Sequence, residues 1–355
     1  MNTLNVFLHN QCVGELTQRL DHLQFQYHAS WLQNDNAFPL SMSLPLQADS
    51  FTSPFYFSAL LPSGEARARV VEKLKTDRDI SLLNTLGGDC LGAVHFEEPE
   101  IPIENTSLHQ GQVDKSFGKP YLILNDSQWQ MMLEQMAQSP LLAGEKGIRC
   151  CLPGSKTKFA MYQPGEQHYL PLNGKPSSHI VKFNDDIEHN MALISQAKQI
   201  GLPVAQTVAH DNYLVSQRFD RHTQHADITC LHQESFAQAI SQAQPNLSDC
   251  ITVLKRYSLN PALDIKHLTQ WVIFHYLGGN TDPDTRNLSL MLLEDGPCLA
   301  PFHTFCCPDT PQTKSFDAQY WQTFADQHNM KLKALRIQYD DVIEKLSTIM
   351  PSQNG

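Results

Sequence analysis

The feature that most limits what this chain can fold into is a change of pattern near residue 230. Before it, short alternating runs typical of strands are interrupted by single helices; after it, helix-length periodicity takes over. Residues 4–8 alternate in strand fashion, a polar turn at 9–11 leads to a second strand near 13–16, and Phe25 and Tyr27 alternate on a third. Residues 39–46 place apolar side chains at every second position with prolines at the rims, which predicts an edge strand. A charged helix is expected over 65–75, and 91–96 closes this part as a strand. Residues 97–119 are polar and hold Pro, Gly, Ser and Asn, so they read as a linker.

Beyond the linker, 127–138 reads as a helix with Ser127 as its N-cap. Residues 148–183 read as a run of strands, of which Ser178-His-Ile-Val-Lys-Phe183 is the clearest. A helix over 186–200 follows, with Ile187, Met191 and Ile194 at helical spacing and Gly201 just past its end. Strands near 204–209 and 213–219 complete a sheet. Helices are then expected at 234–243, 247–257 and 264–277, a hairpin at 288–293 and 298–302 around Glu294-Asp-Gly296, and two last helices between 316 and 350. The fold class is α+β: a sheet-bearing lobe, then a helical lobe, with a hairpin near the junction. That is the layout of a protein kinase, although periodicity alone does not identify one.

Composition excludes several classes. At 41% hydrophobic and 18% charged residues, the chain is globular and not disordered. A formal net charge of −11 makes it a poor generic binder of nucleic acid, so any DNA contact is expected to run through a basic partner. The first ten residues have no basic and apolar signal-peptide pattern, and the apolar run 268–277 is too short to span a bilayer. A cytoplasmic protein with no membrane contact is expected. The nine cysteines include two adjacent pairs (Cys150–Cys151 and Cys306–Cys307) but no C-x-x-C, so buried free thiols are expected. His222, His225 and Cys230 lack a fourth ligand and read as a polar loop.

The segment from Gly278 to Ser289 carries the clearest chemistry. It spaces Asp282 and Asn287 as Asp-x-x-x-x-Asn. Phosphoryl transfer needs a carboxylate near the attacking hydroxyl and, a few residues on, an oxygen that holds Mg²⁺ against the phosphates. About one such pair is expected by chance in a chain of this length. Its place, after a helix and before a hairpin, gives it weight. Lys182, on a strand just before a helix, could neutralise nucleotide phosphates, although alone it reads more readily as a surface lysine on an edge strand. Gly154-Ser-Lys-Thr157 is not a P-loop, because Gly is missing before the lysine and again five positions earlier.

Several blocks resemble the HipA family. In the N-terminal part these are Val13-Gly14-Glu15-Leu16, Phe25-x-Tyr27, Trp31-Leu32, residues 39–46, Leu60-Leu61-Pro62, Arg67 and Arg69, and residues 86–94. Later blocks are 152–158, 178–183, 197–202, Gln217-Arg-Phe-Asp-Arg221, His232-Gln-Glu-Ser235, 281–289 and Leu299-Ala-Pro-Phe302. They follow family order over about residues 4–305. The resemblance implies a HipA-type N-terminal subdomain (1–100), a linker (101–119), a kinase-like N-lobe (120–230) and a helical C-lobe (231–355). It implies ATP and Mg²⁺ as cofactors, with Lys182, Gln217, Phe219 and Gln233 at the nucleotide, Asp282 as catalytic residue and Asn287 on the metal. It further implies a HipB-like antitoxin or other protein partner, and a protein substrate in translation.

Four departures from the family pattern weaken the catalytic expectation. Thr304 stands where the family has a metal-binding aspartate, and Asn190 where it has a helix glutamate. Cys151 stands where some members autophosphorylate a serine, and Asp-Pro-Asp-Thr-Arg replaces the usual Asp-Gly-His-Ala-Lys. Asp284 or Asp309 is conceivable as a replacement metal ligand, against the plainer reading of Asp284 as a solvated loop residue. A pseudokinase that regulates a partner is therefore favoured over an active serine/threonine kinase toxin.

Overall fold

The computed structural model describes residues 3–20, 22–99, 121–183, 186–224 and 227–349. The chain divides into two compact units, one of residues 1–183 and 220–232, the other of 184–219 and 233–355. Sequence boundaries alone put the division near residue 230; the folded units instead interleave, because 184–219 joins the helical part and 220–232 returns to the first unit.

The first unit opens with an antiparallel five-stranded sheet in the order Phe51–Thr52, His22–Tyr27, Gln11–Arg19, Thr3–Leu8, Val94–Glu97. Alternation drives it: Leu4, Val6, Leu8, Leu16, Phe25 and Phe96 all turn inward and are fully or almost fully buried. Phe57 then packs edge to face on Phe96 and at a tilt on Phe25 across that side. Gly14 is required here, since a Cβ would stand 2.3 Å from the Gln26 carbonyl oxygen on the neighbouring strand.

Residues 39–46 are not an edge strand. They form a turn with one isolated bridge, Ser41 to Leu44. The buried Tyr27 hydroxyl donates to the Leu44 carbonyl at 2.6 Å and accepts from the Leu40 N–H at 2.7 Å, which bends the segment back on itself. The helix expected at 127–138 runs Asp126–Gln138, and its cap is Asn125, in a reciprocal capping box with Gln128, rather than Ser127. The expected linker falls almost wholly outside the described residues. Strand Lys158–Met161 pairs antiparallel with His179–Phe183. Residues 221–230 are also not a loop: Arg221–Gln224 and Asp227–Cys230 form a hairpin, with His222 and Cys230 on paired strands and His225 outside the described residues.

That hairpin is locked into the first unit by a buried charge cluster. Arg221 donates to Asp89 at 2.8 Å and to the carbonyls of Cys90 and Gly92, each at 2.8 Å. Asp220 accepts from the Gly92 N–H at 2.7 Å, and Asp89 from the Ser177 N–H at 3.0 Å. His232, burial-shifted to a pKa of about 4 and therefore neutral, bridges the Leu40 carbonyl and the Ala93 N–H.

The second unit centres on helix Pro261–Leu277, whose last ten residues are buried apart from Tyr276. This stretch is mostly apolar around its whole circumference and is therefore enclosed, with helices Leu247–Tyr257 and Leu332–Ile349 packed against it and the polar Thr269, Gln270 and His275 buried among the apolar residues. The buried Asp264 carboxylate accepts from the Ser258 hydroxyl and the Leu299 N–H, which pins hairpin Ser289–Leu293/Gly296–Leu299 to the helix. The helix expected at 234–243 shrinks to Phe236–Ala239, because Gln233–Ser235 is taken as a strand and Ser235 becomes the cap. Helix Ile187–Gln199, the two-stranded pair Thr207–Ala209/Tyr213–Gln217 and helix Ala318–Gln327 complete the unit. Among the described residues no helix is long and apolar enough to cross a membrane.

Candidate active site

In the second unit, the buried helix stops at Gly278 and Gly279, the latter at φ +82°. A Cβ on Gly278 would meet Cys307 Cβ at 2.7 Å and the Asp309 carbonyl at 2.9 Å, so glycine lets two segments close on each other. The contact is zipped by the Asp309 N–H donating to the Gly278 carbonyl at 3.1 Å and Asn280 Nδ2 donating to the Cys306 carbonyl at 2.7 Å. Asn280 then turns the chain by accepting from the Asp282 N–H at 3.1 Å. The Asp282 carboxyl is left exposed.

The loop continues as a short 3₁₀ turn, Thr285–Asn287, capped by Asp284. Both Asp284 oxygens are engaged by Arg286: Nε lies 2.9 Å from Oδ1 and Nη2 lies 2.7 Å from Oδ2. The same guanidinium holds the Asp284 carboxyl below its usual range. Thr285 Oγ1 donates to the Pro245 carbonyl, which ties the turn to the preceding loop. Asn287 is half-buried at the end of the turn, one residue before the buried Leu288. The loop is thus ordered by its own side chains, with Asp282 and Asn287 at its two ends.

The segment after the hairpin closes on the start of this loop. Phe302 pairs with the chain at Val204 and stacks on Trp271 at 5.7 Å, fixing the direction of the next residues. Thr304 Oγ1 shares a hydrogen bond with His303 Nδ1 at 3.0 Å, and the His303 ring stacks on Phe219 at 6.0 Å. His189, on the helix that also carries Asn190, reaches the Cys307 carbonyl at 2.7 Å. Asn190 Nδ2 folds back to the Asp186 carbonyl at 2.9 Å. Gln217 ends its strand half-buried, and Gln233 is buried in the register position opposite Met291.

Lys182 belongs to the first unit, on strand His179–Phe183, directly opposite Lys158. Burial lowers the pKa of both, and Lys158, with Lys182 beside it, falls to about 7. Among the described residues neither has a carboxylate at ion-pair distance, and Lys158 Nζ instead donates to the Pro153 carbonyl under the Pro153-Gly154 turn. Two adjacent, largely enclosed ammonium groups that face no carboxylate among the described residues suit a polyphosphate, whose charge would also hold both protonated. Cys151 is fully buried, with its thiol donating to the Leu60 carbonyl at 3.2 Å. Sequence reasoning missed Lys158, Arg286 and His303. Lys158 was legible only as a strand partner of Lys182, which requires the register.

Mg²⁺ fits these residues poorly. A hard dication needs several oxygens with net negative charge. Asn287 and Thr304 are neutral, the Thr304 hydroxyl is engaged by His303, and Asp284 is closed on Arg286.

Comparison with known proteins fits this arrangement. Residues 4–97 match the family model described as the HipA N-terminal domain, and residues 150–350, more than half of the chain, match that of the HipA-like C-terminal domain. A protein of Sinorhizobium fredii described as "Putative kinase Y4mE" is 30% identical over 386 aligned positions, covering 97% of this chain and 90% of that protein. HipA of Shewanella oneidensis MR-1, solved in a toxin–antitoxin complex with HipB and operator DNA, overlays with a TM-score of 0.74. The overlay covers 99% of this chain and 92% of that one at 19% identity. This chain belongs to the HipA family and has its kinase-like fold.

Proposed function

We propose that this chain is a pseudokinase of a toxin–antitoxin module: a cytoplasmic, nucleotide-binding protein that regulates a protein partner instead of transferring phosphate. The observation that carries this reading is the pairing of Thr304 with His303 where a metal-binding carboxylate is needed, together with the closure of Asp284 on Arg286. Phosphoryl transfer is almost wholly positioning and charge stabilisation, so loss of one metal carboxylate costs orders of magnitude in rate. Lys182, with Lys158 beside it, would hold the ATP phosphates, while Gln217, Phe219 and Gln233 would border the base. The partner is a HipB-like antitoxin. The Shewanella HipA was solved with HipB and operator DNA, so nucleic acid is not excluded, and for this acidic chain the contact would run through the partner.

A second reading, an active serine/threonine kinase acting on a translation component, is favoured by one feature: Asp282 is exposed on an ordered loop. In that case Asp282 would orient the substrate hydroxyl and accept its proton. The discriminating experiment is incubation with radiolabelled γ-phosphoryl ATP and Mg²⁺ or Mn²⁺, beside Asp282→Asn. The pseudokinase reading expects no label above that variant. Label that disappears in Asp282→Asn would overturn it.

A further inference from the structure

Of the eleven large apolar side chains that stand exposed among the described residues, four gather at one place in the second unit. Tyr257, Leu259, Leu263 and Leu293 are 41–61% exposed. Single exposed leucines are ordinary, whereas a group of them marks an interaction surface. Tyr257 ends one helix, Leu263 lies in the first turn of helix Pro261–Leu277, and Leu259 sits in the link between them. The Leu259 N–H donates to the Pro297 carbonyl at 2.7 Å, and a Cβ on Gly296 would stand 3.6 Å from Leu259 Cβ, so this leucine lies against the hairpin. Leu293 is the register partner of Gly296, which brings it to the same place. Helix Pro261–Leu277 puts its length, about 25 Å, between this group and the Asp282 loop at its other end.

Both signs of charge border the group, carried by different elements. Glu294 and Asp295 form the exposed tip of the hairpin. Lys255 and Arg256 stand exposed in the last turn of helix Leu247–Tyr257, with the Arg256 guanidinium 5.0 Å from the Tyr257 ring centre. Lys266 is exposed one turn beyond Leu263. None of these five lies at ion-pair distance from an opposite charge among the described residues.

A uniformly acidic or basic partner would answer one border and be repelled by the other. The occupant needs an apolar centre with anions on one side and cations on the other, and the patch is itself such a surface. Turned about a two-fold axis, it sets the hairpin tip of each copy against the helix end of the other, the self-complementarity that an isologous contact requires. At a net charge of −11, copies of this chain repel over most of their surface, so they approach most easily where cations are also present. We propose that this patch is a self-association surface, on which a second copy of the chain docks about a two-fold axis. Leu259 and its three apolar neighbours form the centre, and Glu294 and Asp295 of each copy face Lys255 and Arg256 of the other. The contact stands apart from the candidate active site, so it holds or fails independently of the pseudokinase reading.

The test is sedimentation equilibrium of the full chain. A contact of this modest size should have a dissociation constant on the order of tens of micromolar, so the average mass is followed from well below to well above that concentration. It is expected to climb from one chain towards two. Leu259→Asp should weaken association by at least about tenfold. Ile337→Asp, at an exposed apolar position on helix Leu332–Ile349, should leave it unchanged. Glu294→Lys/Asp295→Lys and Lys255→Glu/Arg256→Glu should each weaken self-association about tenfold. An equimolar mixture of the two should recover the parent's affinity, because each reversed border then meets its complement. Melting curves check that the variants fold, and Asp295→Lys with Arg256→Glu repeats the cycle if a double reversal unfolds. A chain that stays single throughout, association untouched by Leu259→Asp, or a mixture no tighter than its folded components would each overturn the proposal.

Discussion

Arg221→Ala is the most informative single perturbation of the first unit. The Arg221 side chain is 1% exposed, and its partners Asp89 and Asp220 are 4% and 2% exposed. The guanidinium makes four hydrogen bonds, to Asp89, Cys90, Gly92 and the Asp220 carbonyl, and lies 3.0 Å from the Asp220 carboxylate. Truncation takes the guanidinium away from two buried carboxylates, and breaking such a pair costs about 3–5 kcal/mol. With a urea m-value of about 2 kcal/mol per molar, the midpoint should fall by roughly 1.5–2.5 M. Arg221→Lys keeps the charge but loses the fork, so about half of that loss is expected. Hydrogen exchange in urea, read on peptides covering Thr3–Leu8 and Lys158–Met161, isolates the first unit from the second. A loss under about 0.5 kcal/mol, the size of an ordinary surface change, would refute the view that this cluster fastens the 220–232 hairpin.

Three further outcomes follow from the same reasoning. Tyr27→Phe removes the hydroxyl shared by Leu40 and Leu44, and should cost about 1–3 kcal/mol while speeding proteolysis within 39–46. Phe302→Ala opens a cavity against Trp271, and should destabilise the second unit by about 3–5 kcal/mol by the same exchange measurement. Lys158 titrates near 7 when folded but near 10.5 when unfolded, so the unfolded chain binds more protons between those values. Stability of the first unit should therefore rise with pH across that window, and a comparison at the two ends should show a smaller slope in Lys158→Met, with Lys182 supplying the remainder.

Much of the architecture was legible because it rests on periodicity. The sheet of the first unit, helix Leu247–Tyr257 and the hairpin after residue 288 all follow from apolar spacing and a Gly-bearing turn. What failed did so where a tertiary bond outranks local pattern. Residues 39–46 have strand alternation, yet one tyrosine hydroxyl bends them into a turn. Residues 221–230 look like a polar loop because their polarity hides a hairpin whose anchor, Asp89, lies 132 residues away. At the site, Asp282 and Asn287 could be found from spacing, since one loop carries both. The closure of Asp284 on Arg286 could not, because a carboxylate two residues from an arginine is compatible with either a free ligand or a closed pair. Lys158 escaped notice because its importance comes only from sitting opposite Lys182.

The most direct test of the account is calorimetric titration of ATP into the full chain, once with Mg²⁺ and once with EDTA. If lysines and not a metal hold the phosphates, binding has the same affinity in both and is weakened by Lys182→Met. Binding that requires Mg²⁺ would contradict the account, by showing that the residues around Asn287 do assemble a metal site.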